Sequence, residues 1–133
     1  MKSITQEDPF GCSLACIAHL TGNTYKSIIQ LVDDKKARNG GFYCKELVSL
    51  LSNLGYSYSY KYLKPRFKKL IYHDDAIVFI KRSKQYPSGH YLVRSGDMWM
   101  DPWINFSVTA KISDAESGFR KRLPGIPIYG LFP

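Results

Sequence analysis

The sequence predicts an α+β fold, with helices first and an antiparallel sheet after them. Two observations lead there. Between residues 12 and 54, apolar side chains recur at helical spacing in three runs, each stopped by a polar or glycine-containing break. From residue 56 onward the texture changes to short apolar or aromatic-alternating stretches separated by Pro, Gly and Asp. One of them, 90–95, leads through Ser95-Gly96-Asp97 into 98–101, the pattern of a tight hairpin. Elements segregated in this order pack as helices on one sheet rather than as alternating βαβ units. A length of 133 residues makes one domain, large enough to bury a core without staples.

Residues 1–11 read as a lead-in and loop. The first helix is expected over 12–20, ending at Thr21-Gly22-Asn23, with Leu14, Ile17 and Ala18 on its buried face. Thr24 caps a second helix that runs to about Val32, with Ile28, Ile29 and Val32 inward. The polar stretch 33–41, closed by Gly40-Gly41, is expected to be a loop. A third helix spans 44–54, with Leu47, Leu50, Leu51 and Leu54 at helical spacing and Gly55 beyond. Residues 56–62 alternate aromatic with Ser or Lys, as a half-buried strand does. Pro65 opens a basic connection with a helical turn through Leu70, and Asp74-Asp75 turns the chain into a buried strand, 76–80. A loop over 81–89 precedes the hairpin. Residues 113–120 fit either a helix or an ordered loop, and 126–132 read as a last strand closing the sheet.

Composition narrows the function classes. A hydrophobic share of 44% suits a globular domain, and the 14% aromatic share suits a sheet-rich second half. No apolar run approaches the roughly 20 residues of a membrane span. The opening Met-Lys-Ser-Ile-Thr-Gln has no apolar signal region, so a cytoplasmic location is expected. Three cysteines cannot all pair within one chain, which points to a reducing compartment and at least one free thiol. The net charge of +8 is concentrated at Lys61 to Lys69, Lys81 to Lys84 and Arg120 to Arg122. Such charge is either solvated surface or a means of attracting nucleic acid, anionic membrane surfaces or acidic protein partners. With no recognition motif, nucleic-acid binding is expected to be weak and sequence-independent.

The chemistry-bearing stretch is Gln6 to Ala18. A turn-forming Asp8-Pro9 and Gly11 lead into the first helix, and Cys12 stands where that helix begins. Unsatisfied N–H groups and a partial positive charge at a helix N-terminus favour thiolate over thiol. Cys12 is therefore the candidate nucleophile. Gln6, six residues upstream, can bring its side-chain amide to the same point and stabilise an oxyanion together with the N–H of Cys12. Downstream, His90 opens an apolar strand and is the candidate general base. Asp101, across the hairpin and roughly opposite, is the candidate group to orient its imidazole.

Each of these residues alone has a plainer reading. A Cys at a helix start is usually buried, a His on a strand structural, and Asp-Pro a turn. Cys16, one turn along the helix, competes as nucleophile but is expected to face the core. Cys12, Cys16, His19 and Cys44 admit a zinc reading, although Cys-x3-Cys-x2-His is not a strong zinc spacing. His19 reads as a helix-surface residue and His73 as a loop residue. Trp99 and Trp103, flanking Asp101, either shield it or fill the core.

Taken together, Gln6, Cys12, His90-Tyr91-Leu92-Val93 and Asp101-Pro102 resemble, in order and spacing, the papain-like cysteine peptidases. The likeness is greatest to the small bacterial branch that includes the bacteriocin-leader (double-glycine) peptidase domains. It spans residues 6 to about 103. It implies a papain-like fold and a thiol peptidase from a bacterial or phage source. Cys12, His90 and Asp101 would be its catalytic triad and Gln6 its oxyanion donor, acting on a protein or peptide with no cofactor. Where that branch has Asp-Cys-Gly, this chain has Gly11-Cys12-Ser13, so its leader specificity does not carry over. The same machinery runs deamidation and other acyl transfer. An inactive domain that uses its basic surface for binding is the alternative.

Overall fold

A computed structural model describes residues 2–133. Four α-helices come first: α1 (Cys12–Thr21), α2 (Tyr25–Ile29), α3 (Asp34–Arg38) and α4 (Cys44–Asn53). Six strands follow: β1 (Ser59–Tyr62), β2 (Ile77–Ile80), β3 (His90–Ser95), β4 (Met98–Asp101), β5 (Gly118–Arg120) and β6 (Pro127–Phe132). They form one antiparallel sheet in the order β1-β6-β2-β3-β4-β5. The architecture is α+β.

Alternation along the strands divides the core in two. Ile77, Tyr91, Val93, Met100 and Leu131 face the helices and pack with Leu14, Ile17, Ile28, Leu47 and Leu51. Val78, Ile80, Leu92, Trp99 and Phe132 face the other way and are covered by Leu63, Ile71 and Tyr86. The connection carrying Leu63 and Ile71 is a 3-10 segment, Pro65–Tyr72, begun by the proline. Nearly every residue of α1 is buried, because it lies between the sheet and α2. Gly22, at φ +71, ends it in the left-handed conformation.

Several boundaries differ from the sequence reading. The segment 33–41 is not only loop. Asp33 accepts from Lys35 N (3.1 Å) and the Asp34–Arg38 pair closes one turn, so α3 forms with Ala37 as its one buried residue. Its signal is in caps and charges rather than an apolar stripe. The second helix stops at Ile29, short of Val32, and Ile29 and Val32 still pack on the core through the turn that follows. Strand β1 starts at Ser59 and is exposed along its whole length, because it is an edge strand; the buried Tyr58 lies just before it. Residues 113–120 form neither one helix nor one loop: a 3-10 turn, Ile112–Asp114, leads to β5 on the other edge. Strand β6 does not close an edge but inserts between β1 and β2. His19 is buried rather than on the surface, held by the Lys2 carbonyl (2.9 Å) and Ser95 Oγ (3.2 Å).

Candidate active site

Gly11, the N-cap of α1, has no side chain to cap the helix, so the first N–H groups, including that of Cys12, are left without a side-chain partner. Glycine is required here for a second reason. A Cβ would collide with the hydroxyl of Tyr25, which donates to Asp8 Oδ2 (2.7 Å) and ties the incoming loop to α2. Phe10 N donates to the Ala37 carbonyl (2.7 Å), so the unforeseen α3 also anchors this loop. Cys12 itself is half-buried, whereas Cys16 is fully buried and burial pushes its thiol pKa up. Cys44 is buried too, with its thiol 3.7 Å from the Tyr91 hydroxyl and its pKa raised by burial.

His90 and Asp101 meet at the end of the sheet, where β3 begins and β4 ends. The register sets Val93 opposite Met100, so Asp101 falls one step beyond, across from Leu92 and diagonal to His90. The offset from direct opposition is two residues. An even offset keeps both side chains on one face, where diagonal neighbours are within reach. His90 Nε2 donates to Asp101 Oδ1 at 2.7 Å, with both residues buried. Trp103 N donates to the same oxygen (3.0 Å). Arg120 Nε lies 3.1 Å from Oδ2 as an ion pair, at an angle outside hydrogen-bond geometry.

Burial alone would lower the His90 pKa. The hydrogen bond to Asp101 and the proximity of Cys12 outweigh it and push the value up to about 9. Asp101 shows the mirror case: burial would raise its pKa, but His90, the Trp103 N–H and Arg120 together hold it below the usual carboxylate range. Since Nε2 is committed to Asp101, Nδ1 is the ring nitrogen left uncommitted. The ring is also clamped flat. Tyr86 stacks on His90 (centroids 5.0 Å, 15°), Phe106 stacks on Tyr86 (5.2 Å), and Trp103 meets Phe106 edge-on (4.8 Å).

Gln6 is buried in the lining of the cleft that Cys12 also lines, held there because Gln6 N donates to the Pro102 carbonyl (3.2 Å), while the preceding Thr5 Oγ1 donates to Ser117 Oγ (2.8 Å) and accepts from Ser117 N (3.2 Å). Its amide hydrogens go to the carbonyls of Asp8 (3.0 Å) and Pro9 (3.3 Å), while Oε1 has no partner. All four residues singled out from the sequence thus fall in one region, and Gln6, Cys12 and His90 line one cleft of about 630 Å³. Among the described residues no group of three or more His, Cys, Asp or Glu is gathered as a metal ion requires, and His19 is directed elsewhere.

The sequence reading missed Arg120, Tyr86, Phe106 and the Asp8–Tyr25 tie. It also missed an aromatic row. Tyr62 pairs with Tyr129, Tyr129 with Phe79, and Phe79 with Tyr91, so four adjacent strands each place one aromatic ring on the helix-facing side. The row runs from the exposed Tyr62 inward to Tyr91, next to His90, and its inner three members line the cleft. Only the period-two aromatic spacing of each strand hinted at it.

No protein-family model matches this chain, and no curated protein matches it in sequence. Among the described residues no helix is long and apolar enough to cross a membrane.

Proposed function

We propose that this protein is a papain-like cysteine hydrolase acting on polypeptides. The observation that carries the reading is the buried His90–Asp101 hydrogen bond with Cys12, at the head of α1, as the ring's other neighbour. A histidine protonated up to about pH 9 is the counter-ion a thiolate needs.

In this scheme the Cys12 thiolate attacks a substrate carbonyl carbon. The oxyanion is received by the Cys12 N–H and by Gln6, whose longer bond to Pro9 is the one to be exchanged. His90 gives its proton to the leaving amine as the C–N bond breaks, which leaves a thioester. Water then loses a proton to His90, adds to the thioester and releases an acid and the thiolate. An amine in place of water gives acyl transfer by the same steps. Asp101 keeps the imidazole in the tautomer and orientation this requires.

The aromatic row supports a polypeptide substrate. The three rings that line the cleft span two strand spacings of about 4.8 Å, about 10 Å, close to three residues of extended chain. The charged rim residues Lys45 and Arg82 are both cationic.

Iodoacetamide labelling with peptide mapping tests the nucleophile, and mass spectrometry of a peptide library tests turnover. Cys12 is expected to label far faster than Cys16 and Cys44, and His90→Ala to slow it to the rate of an ordinary thiol. Equal, slow labelling of all three cysteines in the native protein would overturn the proposal.

A further inference from the structure

A second groove, of about 400 Å³, lies on the side of the sheet that faces away from α1. It brings together two of the basic clusters of the sequence. Lys68 and Lys69 come from the 3-10 segment, and Lys121 and Arg122 from the connection between β5 and β6, some fifty residues later. All four are exposed, and among the described residues none forms an ion pair. Among the described residues no carboxylate lines the groove. Its apolar lining is Leu123 and the exposed Tyr72, set above the buried Ile71 and Trp99. Leu70 (40% exposed), next to Lys69, and Ile126 (62%), between the lining residues Gly125 and Pro127, are open to solvent outside the lining.

We propose that this groove docks an acidic polypeptide segment carrying apolar side chains. Four unpaired cations concentrate positive potential around a patch that water covers poorly. Carboxylates with aliphatic neighbours complement both features at once, as at an interface with an apolar centre and a polar rim. Nucleic acid fits less well. Single strands bind by stacking bases on free aromatic faces. Here the groove offers one exposed ring: Trp99 is only 1% exposed, and Tyr72, 60% exposed, carries the Arg94 guanidinium over one face (5.1 Å), so successive bases have no row of rings to stack on. A phosphodiester backbone would also leave Leu70 and Ile126 uncovered. The groove lies away from Cys12, so the proposal stands or falls independently of the catalytic reading.

Fluorescence anisotropy tests it with three probes: a short alternating Glu/Leu peptide, a Glu/Ser peptide of equal charge, and a single-stranded oligonucleotide. The protein is the full chain carrying Cys12→Ser, which removes turnover. The Glu/Leu peptide is expected to bind most tightly and the Glu/Ser peptide roughly tenfold more weakly, since it leaves the apolar lining uncovered. The double variant Lys68→Glu/Lys121→Glu is expected to lose about tenfold in affinity for the Glu/Leu peptide. Lys26→Glu, exposed on α2 and outside both clefts, is expected to lose none. A shift of the Trp99 indole resonance on titration into the Cys12→Ser chain places the peptide without relying on the groove variants. Tighter binding of the oligonucleotide, equal binding of the two peptides, binding to none, a double variant as good as its parent, a loss with Lys26→Glu, or an unmoved Trp99 resonance would each overturn the proposal.

Discussion

Raising the pH should destabilise this protein, and His90 is the group whose contribution begins to go nearest neutrality. His90 has a pKa of about 9 in the fold, against 6.5 for an unperturbed histidine. A folded-state value above the unfolded one means that folding favours the protonated ring. The stabilisation is complete below about pH 6.5 and is lost as the pH rises through about 9. At about 1.4 kcal/mol per tenfold change in proton affinity, the difference is worth about 3 kcal/mol between pH 6 and pH 10. Urea unfolding followed by tryptophan fluorescence measures it. With a slope of about 1–3 kcal/mol per molar, the midpoint should fall by roughly 1–3 M over that range. Other groups titrate as well: Cys16, Cys44, Tyr25 and Tyr91, whose pKa values burial raises, act in the same sense toward the alkaline end of the range. His19, its pKa lowered chiefly by burial, acts in the opposite sense, losing its contribution as the pH falls. The same titration in His90→Gln removes their share by difference. Parallel pH–stability curves for the two proteins would refute the reasoning, because they would show that the ring gains nothing from Asp101 and Cys12 on folding.

Three further outcomes are expected. Arg120→Gln takes a cation from Asp101, so its pKa should rise and acid unfolding should begin at a higher pH, with a stability loss of about 1–3 kcal/mol; an unchanged acid limb on a circular dichroism titration would show that the ion pair is idle. Gly11→Ala drives a Cβ into the Tyr25 hydroxyl, and should cost about 1–3 kcal/mol in chemical denaturation and slow Cys12 alkylation, while Tyr25→Phe in the same background should relieve part of the clash. Asp101→Asn should lower turnover of any identified substrate with little change in KM, because it disturbs the imidazole and not the aromatic row; an unchanged kcat would remove Asp101 from the mechanism.

The candidate site owes its polar members to local patterns that are visible in one dimension. A Cys after a Gly at the start of an apolar helical run, a His after a Gly at the start of an apolar strand, and an Asp just before a Pro on the returning hairpin arm can each be read from their neighbours. Their supporting members cannot. Arg120 reaches Asp101 only because β5 pairs with β4, with Arg120 opposite Trp99, and a charged residue in a stretch of ambiguous periodicity gives no sign of that. Tyr86 reads as one more loop aromatic until its ring is seen stacked on His90.

By itself the sequence determined the order of helices before strands, the hairpin, and the placement of Cys12 and His90 at element starts. These follow from side-chain periodicity and from Gly, Pro and Asp punctuation, which act over a few residues. Tertiary structure decided what depends on contacts between distant segments. It put β6 in the middle of the sheet, set the two-residue offset that leaves His90 and Asp101 diagonal, and aligned four aromatic rings across four strands. It also buried His19 and gathered Lys68 with Arg122. Strand pairing is chosen by the packing of whole faces, so no local pattern encodes which strand becomes whose neighbour.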